Sequence, residues 1–564
     1  MNDLSDVLER LTSRLETLER RVEALEHPSE AASAPVAALP SAPLAAAAGE
    51  GLSFVHVGGA FSVLGKAMLG IAGAYLLRAV AETSLLPQPA MAAMAILYAL
   101  LWLAAATRVA AGAWFASTTY ACTSALILAP MLWELTLSFK VLPAAVTAGV
   151  LGGFVCAATG LAWKRNLASI LWVTYGAAAA VAVVLSIATH ELEPFIAVLL
   201  LMVLLCEHAA ARDREMGVRS VAAAAADVAI WGLIFIYFSP QSARGNYPVL
   251  GTAALLAPGF SLFLIDGVSV ALRTMLLKRK ITAFETVQTT IALMLAAASL
   301  LYFEPSGATI LGILLIVLSG ASYAAVFTFF DRAPEQRNYR VFSTWSAALL
   351  LTGCLLCLSP WWAAACLGAA AVAATALGAR LSRVALELHG VAYLAAAATA
   401  SGLLGYAFRA LAGTLPGPPA WSVWVASACA VLCYAARKPG REEAWQQQIL
   451  HLVVAILAAG ALAALLVEGL AGLAALVVHP GVHHLAFIRT LTLCAAALGL
   501  AFSGSHWGRK ELTRMSYAAL VLVAAKLVFE DLRQGHMEFI AASIFLFAVT
   551  LLAVPRIARM GQRA

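Results

Sequence analysis

Eight ionisable residues stand within, or at the edge of, apolar runs long enough to cross a membrane: Lys66, Asp227, Asp266, Arg273, Glu285, Arg489, Lys526 and Asp531. A charge in hydrocarbon costs at least about 2.5–3.5 kcal/mol on insertion scales, so each such residue asks for a partner, a cavity or a proton. Carboxylates at that depth are suited to taking up a proton or holding a cation, and ammonium or guanidinium groups to serving as counter-ions. The functional expectation is a polar pathway for a proton, an ion or a small solute. Asp227 and Asp266 are its titratable groups, and Lys66 and Arg489 its counter-ions. The competing expectation is a set of buried structural salt bridges.

The local readings differ from residue to residue. Arg273 and Glu285 fall near span ends, where side chains can snorkel to the interface. Asp266 and Arg273 lie two turns apart on one helix face and are expected to share a local network. Lys526 and Glu530 form an i,i+4 pair. Asp227, inside Ala222–Trp231, has no partner of its own within four residues. It lies about 12 Å in from the span's start at 1.5 Å per residue, and the expected partner is Lys66.

Other chemistry is weakly represented. Nine cysteines fall in or beside apolar runs, among them the Cys354–Cys357 C-x-x-C and the Cys429–Cys433 pair. Redox or metal motifs need an aqueous turn and further ligands, so these read as small apolar residues. His479, His483 and His484 share one turn without a nearby carboxylate, which reads as polar rather than as a zinc site. No nucleotide-binding G-x-x-x-x-G-K-[ST] occurs, which argues against an ATP-driven pump. Mid-span histidines are too sparse for paired haem ligands. No cofactor and no nucleic-acid partner are expected.

These residues are positioned by membrane helices. The chain has 564 residues, 62% hydrophobic and 12% charged, with mean hydropathy +0.88. Soluble domains carry about 25% charged residues, so a water-soluble architecture is excluded. Apolar runs of about 18–25 residues, the length that spans about 30 Å of hydrocarbon, recur from about residue 54 to 556. They are predicted near 56–80, 89–107, 111–133, 141–162, 167–188, 193–211, 219–238, 248–272, 282–303, 306–330, 341–359, 361–379, 388–411, 419–436, 447–470, 484–503, 513–530 and 536–555. The fold class expected is therefore all-α, a polytopic membrane protein of about eighteen transmembrane helices.

Basic residues test that segmentation. Alternate loop ends carry 23 of them, from Arg108 to Arg563, and the opposite ends carry five: Arg78, Lys140, Arg244, Arg409 and Arg533. Loops facing the cytoplasm are the Lys/Arg-rich ones. The bias predicts an even number of spans in a bacterial inner membrane with both termini cytoplasmic, 557–564 being a short basic tail. No cleaved signal peptide is expected, and the first span serves as the insertion signal.

The N-terminal stretch, 1–27, carries Leu4, Leu8, Leu11, Leu15, Leu18, Val22 and Leu25 at alternating spacings of four and three. That is a heptad seam. Arg14 precedes Glu19 by five residues and Arg21 precedes Glu26 by five, the offset that pairs across a parallel coiled coil. A homo-oligomer held by this segment is expected, with 28–53, rich in Ala and Pro, as a tether.

The last hairpin reads Tyr517-Ala-Ala-Leu, then Ala-Ala-Lys526-Leu-Val-Phe-Glu530-Asp531-Leu532, then Phe539-Ile-Ala, Leu551-Leu552 and Pro555-Arg556. With the heptad segment, the tether and many short-looped spans, it resembles a large uncharacterised family of bacterial multi-pass membrane proteins. The resemblance implies the same architecture and no assigned activity. Three functions follow as expectations: a secondary transporter or channel-like protein, a non-catalytic membrane scaffold or envelope organiser, and an intramembrane enzyme acting on a lipid-linked substrate. Convergence of the buried charges favours the first, uniformly packed small-residue interfaces the second, and carboxylates at a lipid-open groove the third.

Overall fold

Lipid offers no hydrogen bonds, so every backbone group in a span must be satisfied within it, and a helix does this alone. A computed structural model describes residues 54–560 except 83–86, 110–112, 166–167, 213, 215, 241–244, 331–335, 416, 437–444, 478–480 and 535. The heptad segment, the tether and residues 561–564 lie outside the described residues. Contacts divide the chain into an N-terminal unit ending at Lys66 and a unit from Ala67 to Ala564; the sites below lie in the second. All regular structure among the described residues is helical.

The helices are α1 (Phe54–Glu82), α2 (Gln88–Arg108), α3 (Trp114–Trp133), α4 (Ala144–Arg165), α5 (Ala168–Thr189), α6 (Glu193–Ala211), α7 (Arg219–Phe238), α8 (Thr252–Ala271), α9 (Ala283–Phe303) and α10 (Gly307–Ala325). They continue as α11 (Gln336–Cys357), α12 (Pro360–Leu381), α13 (Val384–Ala400), α14 (Leu403–Ala412), α15 (Trp421–Ala435), α16 (Trp445–Ala475), α17 (Val482–His506), α18 (Lys510–Lys526) and α19 (Met537–Met560). Sixteen of the described helices are long and apolar enough to cross a membrane. The chain is an all-α polytopic membrane protein.

The expected eighteen spans need two corrections. The run 388–411 is not one straight helix: α13 and α14 meet at 67°, a broken span or re-entrant loop. Gly402 makes the break with φ +76°, a backbone conformation that glycine adopts without penalty. The Ser401 hydroxyl accepts from the Leu403 N–H at 3.2 Å, and Ser422 donates to the Ser401 carbonyl at 3.2 Å. The run 419–436 is a helix of only 15 residues, α15, short of a full crossing. Hydropathy averages over a window and registers neither the bend nor the shortfall.

Four helices end in a π turn: Glu134–Ser138 after α3, Leu272–Leu276 after α8, Val326–Phe330 after α10 and Leu527–Asp531 after α18. A π turn aligns residues five apart rather than four and is frequent at functional sites. Two of these turns carry charged residues taken up below.

Helix packing relies on small residues, as expected where lipid removes any hydrophobic drive between helices. On α10 and α11, Gly312 and Gly353 bring the backbones together. A Cβ on Gly312 would lie 2.5 Å from Cys357 Cβ and 2.9 Å from the Gly353 carbonyl oxygen. Ser319 donates to the Ser346 carbonyl at 2.7 Å along the same contact. Gly312→Ala is expected to destabilise by about 1–3 kcal/mol, read as a drop in Tm. On the same helix, Gly320→Ala meets nothing within 4 Å and should leave Tm unchanged or raise it. Equal Tm for both variants would show that this close approach does not matter.

Candidate functional site

Helices α6, α7, α8 and α9 pack on one another, and their polar residues meet at the ends that carry basic loops. Arg219, first residue of α7, grips Glu207 of α6 with two bonds, Nε to Oε1 at 2.5 Å and Nη2 to Oε2 at 2.7 Å. The same guanidinium reaches Glu285 Oε1 of α9 at 3.3 Å. Arg273, on the π turn after α8, donates to Glu285, and Ser269 of α8 donates to Glu207 at 2.6 Å. Glu285 also closes a capping box at the start of α9, its carboxylate accepting from the Thr282 N–H at 2.8 Å.

Arg273 and Glu285 do not snorkel. Both are buried and pair with each other, because the π turn and the capping box aim them into the bundle. Arg273 is accordingly engaged by Glu285 across helices.

One turn deeper, two carboxylates remain. Asp227 of α7 accepts from Gln288 Nε2 of α9 at 3.1 Å, and the same Gln288 side chain interacts with Asp266 of α8. Asp266 is 3% exposed, and its Oδ2 has no hydrogen-bond partner among the described residues. The partner seen for Asp227 within its own unit is Gln288, a glutamine on a neighbouring helix; Lys66 belongs to the N-terminal unit, and its side chain is exposed. The two arginines pair with Glu207 and Glu285. Asp227 and Asp266 are two carboxylates joined through one neutral amide.

A second cluster lies toward the opposite ends of α17 and α18. Arg489 is 4% exposed. Its guanidinium donates to the Ala410 carbonyl at 2.8 Å, to the Arg409 carbonyl at 3.4 Å and to the Gly413 carbonyl. These are carbonyls at the C-terminus of α14, where the helix dipole favours a cation; that of Arg409 also accepts from the Gly413 N–H at 3.0 Å. Arg489 also pairs with Glu530 at 2.7 Å.

Lys526 bonds to Asp531 and to the Thr490 hydroxyl, the latter at 2.6 Å, while Thr490 donates to Asp531 Oδ2 at 2.7 Å. The i,i+4 partner Glu530 stands 3.8 Å from Lys526. The π turn over Leu527–Asp531 explains the exchange: it brings residue i+5 under Lys526 and turns Glu530 toward Arg489.

Several residues of these clusters are not among the expected candidates. Glu207 sits inside the predicted span 193–211, and that position alone marks it. Arg219 reads in the sequence as a loop cation. Gln288 carries no charge and gives no signal. A third network also went unforeseen: Tyr323 of α10 bonds to His389 Nδ1 at 3.1 Å and to the Tyr393 hydroxyl at 2.8 Å on α13.

His483 and His484 stack at 4.5 Å, with His536 4.6 Å from His483; His479 lies outside the described residues. No group of three or more His, Cys, Asp or Glu among the described residues is arranged to hold a metal. All nine cysteines are free.

The fold and these clusters define the class, a polytopic helical membrane protein with charged networks inside its helix bundle. Compared with known proteins, the chain matches no family model, no curated protein and no solved structure.

Proposed function

We propose that the protein is a secondary carrier or channel-like protein of the bacterial inner membrane, moving a proton or a small monovalent cation, with both termini cytoplasmic. The observation that carries this reading is the pair Asp227 and Asp266. Two carboxylates on separate helices share Gln288, and the neighbouring arginines pair with Glu207 and Glu285. Burying such groups costs energy in proportion to their charge. A proton or a bare cation relieves that cost, and exchanging it is transport.

The size of the ligand follows from packing. Asp266 is enclosed, and a cavity of about 770 Å³ among the described residues is lined by residues of α15 to α18, with neither aspartate among them. A proton passes along hydrogen-bonded side chains without needing such a cavity; a bulky solute does not. The broken span α13–α14 supports the same reading, since interrupted helices with a charge at a half-helix end recur where ions are handled in transporters.

The test is flux in proteoliposomes of the purified full-length chain, under an imposed membrane potential, with pH- and Na⁺-sensitive dyes inside. Flux of one of the two ions is expected, falling about tenfold or more in Asp266→Asn, which corresponds to at least about 1.4 kcal/mol. Tm should not fall in that variant, because Asn keeps the size and discards the charge. Absence of both fluxes in the wild type, or wild-type flux in both Asp227→Asn and Asp266→Asn, overturns the reading and leaves the scaffold.

A further inference from the structure

The cavity of about 770 Å³ lies between α15, α16, α17 and the start of α18, within the size range of small-molecule sites. Its long walls are made of small residues, Ala455, Ala459 and Ala463 on α16 and Ala495, Ala496 and Gly499 on α17. A trough exists because these positions have no side chain to fill it: a Cβ on Gly499 would meet nothing within 4 Å. Leu462 and Leu466, which also line it, are exposed, so the trough opens sideways, toward lipid.

Its length and its ends identify an occupant. From Trp507 to Ala495 the α17 wall runs about 18 Å at 1.5 Å per residue. One leaflet of hydrocarbon is about 15 Å, half of the usual 30 Å core. The trough therefore begins at the interface on the basic-loop side and stops near the midplane. At its mouth stands Trp507, its ring exposed at the level where aromatic belts form. Beside it lines Arg509, whose guanidinium lies 4.5 Å over the Tyr434 ring.

Lys510 and Arg514 follow on the first turns of α18. The single carboxylate in that stretch, Glu511, accepts from the Tyr434 hydroxyl at 3.2 Å. Arg509 is the one charged side chain among the described residues that line the groove, it stands at the mouth, and the deeper walls are apolar.

We propose that this groove holds an acyl chain of an anionic phospholipid from the leaflet on the basic-loop side, with the phosphate against Arg509. The apolar trough matches one chain in length, and the cationic mouth matches a phosphate in sign. Anionic lipid is also what basic residues at a cytoplasmic interface attract. A transmembrane helix from a second copy fits less well, because it would cross both leaflets and be about 10 Å wide, while the trough ends halfway. Among the described residues no carboxylate lines the groove, and the proposal is of a bound lipid.

The experiment is native mass spectrometry of the full-length chain in detergent, incubated with phosphatidylglycerol or with phosphatidylcholine of the same acyl chains. The wild type is expected to retain phosphatidylglycerol over phosphatidylcholine by about tenfold, or 1.4 kcal/mol. Gly499→Leu fills the trough and should lose that retention. Ala495→Leu, at an exposed wall position, does the same independently should Gly499→Leu fail to fold. Arg509→Gln should still retain lipid but bind the two headgroups about equally.

Equal retention of both lipids by the wild type, or unchanged retention in the groove-filling variants, overturns the proposal. Loss of self-association in those variants with lipid retention intact also overturns it and assigns the groove to a second copy.

Discussion

Arg489→Met is expected to remove most of the folded protein from the membrane, with a loss of about 3–5 kcal/mol, the range for breaking a buried ion pair from one side. The guanidinium serves two groups of acceptors at once. It balances Glu530 at 2.7 Å, and it satisfies the carbonyls of Arg409, Ala410 and Gly413 at the end of α14. Methionine leaves Glu530 with only the more distant Lys526, 3.8 Å away, and removes the guanidinium from the Ala410 and Gly413 carbonyls.

Adding Glu530→Leu removes the first fault and not the second. The double variant should therefore recover partly, remaining about 1–3 kcal/mol below wild type for the unsatisfied carbonyls. Folded yield and Tm in detergent read both effects. Wild-type stability of Arg489→Met, or no recovery in the double variant, would mean that the pair does not hold α14 in place.

Arg219→Met should be nearly as damaging, again by about 3–5 kcal/mol, and its rescue should be selective. Arg219 is the cation bonded to Glu207, which among the described residues otherwise has the Ser269 hydroxyl. Glu285 would keep Arg273 and its capping contact with Thr282. Glu207→Leu is therefore expected to restore much of the yield of Arg219→Met, and Glu285→Gln to restore none. Arg219→Lys should rescue poorly, because an ammonium does not reproduce the two-pronged grip on Glu207. Equal rescue by the Glu207 and Glu285 substitutions would show that the two carboxylates share the arginine evenly.

The contrast between these residues and their appearance in the sequence is instructive. Spans are legible because hydropathy is a sum over twenty residues, and small errors at each position cancel. Asp266 stood out as a charge inside such a sum. Its surroundings did not, because Gln288 and Ser269 are uncharged and Glu207 comes from a helix some sixty residues away.

The strongest contacts were hidden for a sharper reason. Lys526 does stand 3.8 Å from its i,i+4 partner Glu530, but it bonds more closely to Asp531, and Arg273 bonds to Glu285 of another helix; Arg273, Glu530 and Asp531 all fall in π turns. One extra residue per turn rotates everything after it by roughly 100°, the angle one residue occupies in a helix of 3.6 per turn. Nothing in Leu272–Leu276 or Leu527–Asp531 announces that turn by composition. The bend at Gly402 had a local signal, Ser401-Gly402, but glycine is common in membrane helices and most of the glycines here lie in unbroken ones.

The shortness of α15 has a consequence for the bilayer itself. Its 15 residues reach about 22 Å, against about 30 Å of hydrocarbon. Before it comes the segment 413–420, with Pro418 and Pro419, whose described residues build no helix. Lipids meeting a short hydrophobic face thin to match it, at a fraction of a kcal/mol per Å. The membrane beside α15 is then expected to be thinner than beside a full-length span, and the electrical potential across it to fall over a shorter distance. A full elementary charge crossing 100 mV is worth about 2.3 kcal/mol. The segment that borders this steepened field includes Gly413, whose carbonyl Arg489 holds. Voltage would act on the Arg489–Glu530 pair more strongly than on charges behind a full-length helix.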